Sequence, residues 1–348
     1  MSFPENPFRD KKKSESVVLI DIGADSVAGA YAYYVSNEQP VLLYTQRLPI
    51  DAREGESPER AMLRALQALG DVLIREGAPT LLRATGSGSA NMVLVSVDAP
   101  WQETSVRTEH LEQKTPFIFD KSLVTEALKN TSSVPPGKAL ADESIIGTIL
   151  NGYETRDPYG KEVHRASIVI LTSLIDENVV EGIRLTLRSL YHTKNMVYIA
   201  GASLRYQAMR IAFPHEHDVL ILDAIGPLVS ISLVRRNLLV AVTEVPSHTI
   251  DATTRVQKVT DELAELAGRF PLPRTIFLLA RELEAASLQE TLCQADLGKL
   301  WLSDNPPKIV SVRGSHITGL VRQTTTPPDL SLLLMVLFYQ YRTVMEKM

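Results

Sequence analysis

The sequence contains very little cysteine, with Cys293 as the one thiol in a chain of 348 residues. A single thiol cannot form an internal disulfide, so a disulfide-stapled fold is excluded, and such low cysteine usage is typical of proteins in a reducing cytosol. Cys293 lies in a stretch with helical apolar spacing, where we expect a small core residue rather than a reactive thiol. The cysteine content therefore predicts a cytoplasmic protein.

Long apolar runs and an excess of positive charge are also lacking. A membrane-spanning helix needs about 20 predominantly apolar residues, whereas the run at 332–339 is much shorter and predicts a buried C-terminal helix. Lysine and arginine total 36 against 41 aspartates and glutamates, which gives a formal net charge of −5. This balance gives no electrostatic reason to expect nucleic acid as a partner.

The N-terminal segment 1–16 carries a basic cluster, RDKKK, at residues 9–13. No apolar segment follows it directly, so the pattern is not that of a secretory signal. We expect a solvated, disordered tail. The alternative is a weak attraction of the cluster to anionic lipid at the inner face of the cytoplasmic membrane.

The most informative feature that is present is a unit of three predicted strands that occurs twice. Each copy places an acidic residue and a glycine where its first strand ends, Asp21 with Gly23 and Asp223 with Gly226. Apolar runs of this length between polar turns predict β-strands. The duplication predicts two related lobes that face each other across a cleft. The runs lie at 17–23, 28–35 and 41–44 in the first copy, and at 219–226, 228–234 and 238–242 in the second.

Helical and strand patterns alternate through the rest of the chain, which predicts an α/β protein. Ser57 and Gly77 predict the two ends of one helix, and Asp120 and Asp176 predict the starts of two more. The segment 105–119 has no clear period. A hairpin is predicted from the runs at 144–150 and 163–171, further strands at 91–97, 196–200, 274–280 and 308–312, and further helices at 204–211, 250–267 and 282–294.

The ordered set of these features resembles the superfamily of actin, sugar kinases and heat-shock chaperone ATPases. The middle segment, with NGY at 151–153 and DPYG at 157–160 before a strand, is similar to the small inserted subdomain of bacterial FtsA and of its pilus relative PilM. The resemblance spans roughly 17–345 and implies a duplicated actin-like (ribonuclease H-like) fold with two lobes around a cleft. The implied domains are a first lobe at 17–98, the inserted subdomain and return at 99–200, and a second lobe at 201–348.

In this superfamily, glycine-containing turns hold the phosphates of ATP and nearby carboxylates hold Mg²⁺ through water. By resemblance, Asp21 and Gly23 match the first phosphate turn, and Ser26 lies near the position where the family usually has a lysine or glutamine. In the second turn only Asp223 is in register with the family pattern, while Gly226 is displaced by one residue.

The second turn also carries Ile225 and Pro227, and proline has no N–H to donate. The glycine pair that receives adenosine after a buried strand is missing, since 280–282 reads ARE. Each lost donor costs about 1–3 kcal/mol. The sequence therefore predicts weak or lost binding of ATP and Mg²⁺, with no catalytic residue and no other metal site assigned.

The resemblance implies a scaffold of the FtsA type, which recruits protein partners at the cytoplasmic membrane in cell division. A PilM-like adaptor of type IV pilus assembly, which grips a cytoplasmic peptide of an inner-membrane protein, is the alternative within the same fold. FtsA relatives usually end in an amphipathic membrane helix, whereas the last segment here is predicted to be a core helix, which favours the pilus adaptor. An active ATPase or kinase of the same fold is the third alternative function. The sequence does not decide whether the protein self-associates.

Two further motifs are weaker candidates for a metal site and a phosphate-binding loop. HEHD at 215–218 resembles a metal cluster, but its spacing on a loop is unspecific and a solvated connection is favoured. TGSGS at 85–89 resembles a phosphate-binding loop, but no lysine follows and a flexible turn is favoured.

Overall fold

The structure is a computed structural model, and it describes residues 14–131, 134–155, 157–245, 252–295, 297–301, 306–324 and 329–345. The basic cluster at 9–13 and the proline pair at 327–328 lie outside the described residues. The strands are β1 (Ser14–Ile22), β2 (Ser26–Val35), β3 (Val41–Pro49), β4 (Met92–Val97), β5 (Gln102–Ile118), β6 (Lys138–Leu150), β7 (Tyr153–Glu154), β8 (Glu162–Asp176), β9 (Met196–Ala200), β10 (Val219–Ala224), β11 (Val229–Arg235), β12 (Leu238–Val245), β13 (Thr275–Ala280), β14 (Lys308–Val312) and β15 (Arg322–Gln323). The α-helices are α1 (Pro58–Val72), α2 (Ala78–Thr85), α3 (Lys121–Thr131), α4 (Glu177–Tyr191), α5 (Gly201–Ala212), α6 (Ala252–Arg269), α7 (Glu282–Gln294) and α8 (Leu330–Met345).

The duplicated strand unit forms the centre of two sheets. The first sheet has the order β15-β3-β2-β1-β4-β9, and the second has the order β12-β11-β10-β13-β14. In each, the first strand of the unit pairs antiparallel with the second and parallel with a later strand, β1 with β4 and β10 with β13. The predicted duplication is therefore confirmed.

Helices α5 and α8 lie between the two sheets and join them in one apolar core. That core combines side chains of β1 and β2, of α5 and α8, and of β10 and β13. The predicted C-terminal helix is its centre, because every residue of 332–339 is at most 6% exposed. The outer face of the first sheet is covered by α1 and α4, and that of the second by α6 and α7.

The position of the cleft follows from the parallel pairing. Because β1 and β4 run parallel, as do β10 and β13, their carboxyl ends reach the same edge of each sheet. Ligand sites in α/β proteins form at this edge. Asp21, Asp98, Asp223 and Arg281 all lie at or directly after these strand ends.

A third, four-stranded sheet has the order β5-β8-β6-β7 and carries α3 on one face. It includes the predicted hairpin, and the segment of unclear period is its long edge strand β5. The small sheet packs against the second lobe, where Gly147 of β6 approaches Leu238 of β12 so closely that a Cβ on Gly147 would lie 1.9 Å from Leu238 Cδ2. The hydroxyl of Tyr206, on α5, donates a hydrogen bond to the carbonyl of Asn237 in the turn between β11 and β12.

Two local predictions are wrong. Gly77 does not end a helix, because α1 continues through a π-helical turn, Leu73–Gly77, into α2. Glycine is needed there for close packing, since a Cβ would lie 2.7 Å from Tyr31 Cδ2. Cys293 is exposed on α7 and is not a core residue.

The division of the chain into a first lobe at 17–98, an inserted subdomain and return at 99–200, and a second lobe at 201–348 stays a prediction. Strand β9, in the return, pairs with β4 in the first sheet, and β15 pairs there with β3. The last helix, α8, packs on β1, β2 and β3 as well as on α5.

We expect Gly147→Val to destabilise the protein by about 1–3 kcal/mol, because the added side chain must displace the buried Leu238. In a Leu238→Ala background the same change should cost much less, since the obstructing methyl groups are gone. The free energy of unfolding in urea measures both. Gly268→Ala in α6, where no atom lies within 4 Å of the new Cβ, is the control and should be neutral or stabilising by up to about 1 kcal/mol. Equal costs in both backgrounds would contradict this packing.

Candidate functional site

The candidate site is the cleft where the carboxyl ends of β1, β4, β10 and β13 meet. Asp21 lies near the end of β1 and is 2% exposed. Its Oδ2 accepts hydrogen bonds from Ser331 Oγ at 2.7 Å and from an Arg47 nitrogen at 3.2 Å. Its Oδ1 has no hydrogen-bond partner among the described residues and lies 3.7 Å from an Arg205 nitrogen. One of the two carboxylate oxygens, Oδ2, is therefore already bound by the start of α8 and by β3.

Arg205 of α5 connects the two lobes at the centre of the cleft. Its side chain is 4% exposed and makes a bidentate pair with Asp98, with nitrogen–oxygen distances of 2.8 and 2.9 Å. Its Nε forms a close ion pair with Asp223 Oδ2. Asp98 follows β4 of the first lobe, and Asp223 belongs to β10 of the second. One guanidinium therefore pairs with carboxylates at the strand ends of both lobes.

The pair with Asp98 depends on a glycine one turn earlier in α5. A Cβ on Gly201 would lie 1.5 Å from Asp98 Oδ1 and 2.2 Å from an Arg205 nitrogen. Any side chain there would occupy the position of the ion pair. Gly201 therefore permits Arg205 to reach Asp98.

Two more arginines complete the network around Ser26. Arg47 pairs with Asp329 at 2.8 Å and donates to Ser26 Oγ at 3.0 Å. Arg281, directly after β13, pairs with Asp25 of the opposite lobe at 2.6 Å and lies 3.3 Å from Ser26 Oγ. Arginine side chains thus surround the position where the resemblance places a phosphate contact.

The backbone of the first predicted phosphate turn is already engaged. The N–H of Gly23 donates to the carbonyl of Ser26 at 2.9 Å, and the carbonyl of Gly23 accepts from Trp101 Nε1 at 2.7 Å. An amide that is hydrogen-bonded within its own turn is not available to a phosphate.

The second predicted turn is held from within its own lobe. The N–H of Ile225 donates to Asp223 Oδ1 at 3.2 Å. Arg255 of α6 donates to the carbonyl of Ala224 at 3.0 Å and to that of Gly226. Ile225 is itself buried, so its side chain fills the turn.

The charges of the network shift the pKa of the aspartates. Burial raises the pKa of Asp98 from 3.8 to about 7; Arg205 opposes this shift, and Asp21 and Asp223 add to it. Burial raises the pKa of Asp223 as well, against the opposing effect of Arg205. Burial alone would lower the pKa of Arg205, but the surrounding carboxylates more than reverse this effect and keep it protonated.

Little free space remains between these side chains. The cavity has a volume of about 50 Å³, which admits a few water molecules at roughly 10–15 Å³ each. Its lining includes all five residues predicted to bind a cofactor, namely Asp21, Gly23, Ser26, Asp223 and Gly226. The structure thus brings these residues together, and their binding of a nucleotide stays a prediction.

Comparison with known proteins bears on the fold. No family model matches the chain, and no curated protein sequence matches it. Among solved structures, a chain of a PilM-PilN type IV pilus biogenesis complex is 16% identical, with 96% of this chain and 98% of that chain covered and a TM-score of 0.51. A Bacteroides thetaiotaomicron protein with an actin-like ATPase fold and unknown function is 11% identical, with 96% and 99% covered and a TM-score of 0.49. The protein has an actin-like ATPase fold.

The predicted actin-like fold is therefore confirmed, and at these identities the likeness extends to the fold alone. Ethanolamine utilization protein EutJ from Carboxydothermus hydrogenoformans is also similar, at 10% identity, with 96% of this chain and 92% of that chain covered and a TM-score of 0.39.

Among the described residues, no helix has the length and apolar character to cross a membrane.

The two weaker motifs have structural roles in this actin-like fold. His217 Nδ1 lies 3.0 Å from Asn237 Oδ1, and Asp218 Oδ1 accepts from the N–H of Arg236 at 3.0 Å, so the loop is tied to the β11–β12 turn. No group of metal-ligating side chains is found in the described part of the chain. The motif at 85–89 is a turn in which Gly86, with φ of 77°, ends α2.

Sequence reasoning missed the arginines that define the site. Arg205 lies in GASLRYQAM at 201–209, a stretch in which eight of nine residues are buried. One arginine among small and apolar residues on a buried helix was the available signal, because a buried guanidinium requires carboxylate partners. Arg47 and Arg255 gave no such signal, since each lies in a segment with other polar residues.

We expect Arg205→Met to destabilise the protein by about 3–5 kcal/mol, because it leaves the buried Asp21 and the partly buried Asp98 and Asp223 without their shared cation. Arg184→Met is the matched control. Arg184 pairs with Glu181 on the surface of α4, where both side chains are 45% exposed, and its loss should cost less than about 1 kcal/mol. Urea unfolding followed by circular dichroism measures both variants. Similar costs would contradict a central role of Arg205.

The raised pKa of Asp98 predicts a pH dependence of stability. The folded state binds this proton more tightly than the unfolded state, where the pKa is 3.8. The contribution of Asp98 is therefore complete below about pH 4 and is lost as the pH rises through about 7. Unfolding free energies of the wild type and Asp98→Asn between pH 4 and 8 isolate this effect, because other groups titrate in both proteins. We expect a steeper decline with pH in the wild type, and parallel curves would refute the assignment.

Proposed function

We propose that this protein is a non-catalytic adaptor, which uses the actin-like ATPase fold to bind other proteins instead of turning over ATP. The observation that supports this function is the guanidinium of Arg205 between Asp98 and Asp223. In an active site of this fold, carboxylates at these strand ends would face a metal ion and phosphates. Here a cation of the chain itself pairs with them.

The residues of the cleft do not fit a magnesium–nucleotide complex. Phosphate binding needs free N–H donors at close range. The N–H of Gly23 is committed within its turn, and Pro227 has none. A nucleotide would also have to separate Arg205 from its buried partners, which costs several kcal/mol.

Hydrolysis meets a further obstacle, which is space. The cleft retains about 50 Å³, while pockets for small-molecule ligands typically measure about 300–1,000 Å³. A nucleotide and an attacking water cannot enter without separation of the lobes. Separation would break the Arg281–Asp25 pair as well as the contacts of Arg205.

Within this proposal, the PilM-like adaptor of pilus assembly is favoured over the FtsA-type division scaffold. A chain of a PilM-PilN type IV pilus biogenesis complex, matched over 96% of this chain with a TM-score of 0.51, supports this choice. Helix α8 is packed between the lobes, with Leu332, Leu333 and Leu334 completely buried, so it belongs to the core. The adaptor would then meet the inner face of the cytoplasmic membrane through its partner.

We expect calorimetric titration with ATP and Mg²⁺ to show no binding up to millimolar concentrations, because the donors are committed and the cleft is filled. A sugar kinase of the same fold is the positive control for the nucleotide. The titration is repeated with a non-hydrolysable analogue and with Asp21→Ala. Submicromolar affinity that Asp21→Ala abolishes would overturn the adaptor function in favour of an active ATPase.

The choice between the two adaptor roles is tested with the full chain as bait. The protein is cross-linked to its partners in the cells of origin and purified, and mass spectrometry should then identify a pilus inner-membrane protein. Recovery of a tubulin-like division protein without any pilus component would favour the FtsA-type role instead.

A further inference from the structure

The cavity that remains in the cleft is lined by more acids than bases. Its titratable lining residues are five acids, Asp21, Asp25, Asp98, Asp223 and Glu244, and three bases, Arg47, Arg205 and Arg281. At pH 8, above the pKa of about 7 of both Asp98 and Glu244, three positive and five negative charges leave a formal balance of −2. Arg47 is in addition shared with Asp329, which lies behind the lining. A polyanion such as a nucleotide is therefore repelled, and a cation is attracted.

Glu244 is the acid of this group without a cation. It lies on β12 opposite Ser230 of β11, and no described residue gives it a hydrogen bond or a salt bridge. Its charged neighbour is another acid, Glu103, and burial raises the pKa of Glu244 to about 7. The nearby Lys138 is already paired with Glu103 and Asp176.

The same lining contains four buried polar atoms without a hydrogen bond among the described residues, namely two oxygens, Asp21 Oδ1 and Ser230 Oγ, and two nitrogens, Arg205 Nε and Arg281 Nε. Arg205 Nε is ion-paired with Asp223, and the two oxygens are candidates for a donor from outside the chain. The Asp21 side chain is only 3% exposed, so bulk water does not satisfy it. Buried polar atoms normally have a partner, and both of these oxygens border the cavity.

We propose that this cavity binds the ammonium group of a lysine side chain that a protein partner inserts into the cleft. The proposal rests on the adaptor function above and names the chemistry by which the cleft recognises its partner. An ammonium group carries three donors, no acceptor and one positive charge on a compact centre. Its donors suit the oxygens of Asp21 and Ser230 that lack a hydrogen bond and the carboxylate of Glu244, all of which line a cavity of about 50 Å³. The cleft of an ATPase fold would then have changed its preference from phosphate to cation.

The test uses Nα-acetyl-lysine methylamide as the probe and the norleucine analogue, which lacks the ammonium, as its matched neutral control. At pH 8, where Glu244 is ionised, millimolar lysine probe should raise the melting temperature of the full chain, and the norleucine analogue should not. Putrescine is the free-amine arm. An effect of the lysine probe alone supports a partner's side chain, and an effect of putrescine alone would overturn the proposal in favour of a free metabolite.

The variants Glu244→Gln and Ser230→Ala should each weaken binding of the lysine probe at least tenfold in a calorimetric titration. Glu181→Gln, on the surface of α4, is the control and should leave it unchanged. Potassium and magnesium chloride at matched ionic strength are the inorganic arms, and stabilisation by either salt alone would overturn the proposal, as would no response to any cation. ATP with Mg²⁺ is titrated in parallel. Binding of ATP would overturn the adaptor function, whereas binding of neither ATP nor the lysine probe would overturn only the lysine site.

Discussion

Three carboxylates, those of Asp21, Asp98 and Asp223, converge where strands of both lobes end, and their repulsion must be compensated for the lobes to pack together. The guanidinium of Arg205 provides this compensation by contacting all three. The charges of Asp21 and Asp223 both raise the pKa of Asp98, as expected for carboxylates that repel one another. A bound metal or an internal cation can remove that repulsion, and this chain carries the internal cation.

The rest of the cleft is consistent with a permanently compensated state. The first turn is closed on itself through Gly23 and Trp101, and the second is held by Arg255. Arg281 adds a second cross-lobe pair with Asp25. Backbone groups that an ATPase would keep for phosphate are satisfied inside the protein, so the closed arrangement requires no ligand to hold it.

The apolar skeleton and the polar cleft support each other. Helices α5 and α8 are buried between the sheets, and both carry polar residues to the cleft at one end: Arg205 on α5 and Ser331 on α8. Because these helices are fixed by the core, their polar side chains are held in place with little loss of conformational freedom. The shared core therefore positions the network as well as stabilising the fold.

Local patterns predicted most of the elements, and failures occurred where the deciding contact was distant. The strands of both copies follow from their apolar runs, and the start of α3 follows from Asp120, whose Oδ1 accepts from the N–H groups of Ser122 and Leu123 at 2.9 Å. Strand β5 was not predicted, because an edge strand with many exposed positions shows no clear alternation. Gly77 was misread because its function is contact with Tyr31, which the local sequence does not reveal.

The sequence by itself determined the duplicated strand units, and with them the two lobes, because strands and turns depend on residues close together in the chain. It also determined that the second turn lacks the donor at Pro227, which has no N–H in any fold. Only the tertiary structure decided what occupies the cleft. Arg205 and Asp98 are 107 residues apart, and their pairing depends on the packing of α5 against the end of β4, which no local pattern encodes.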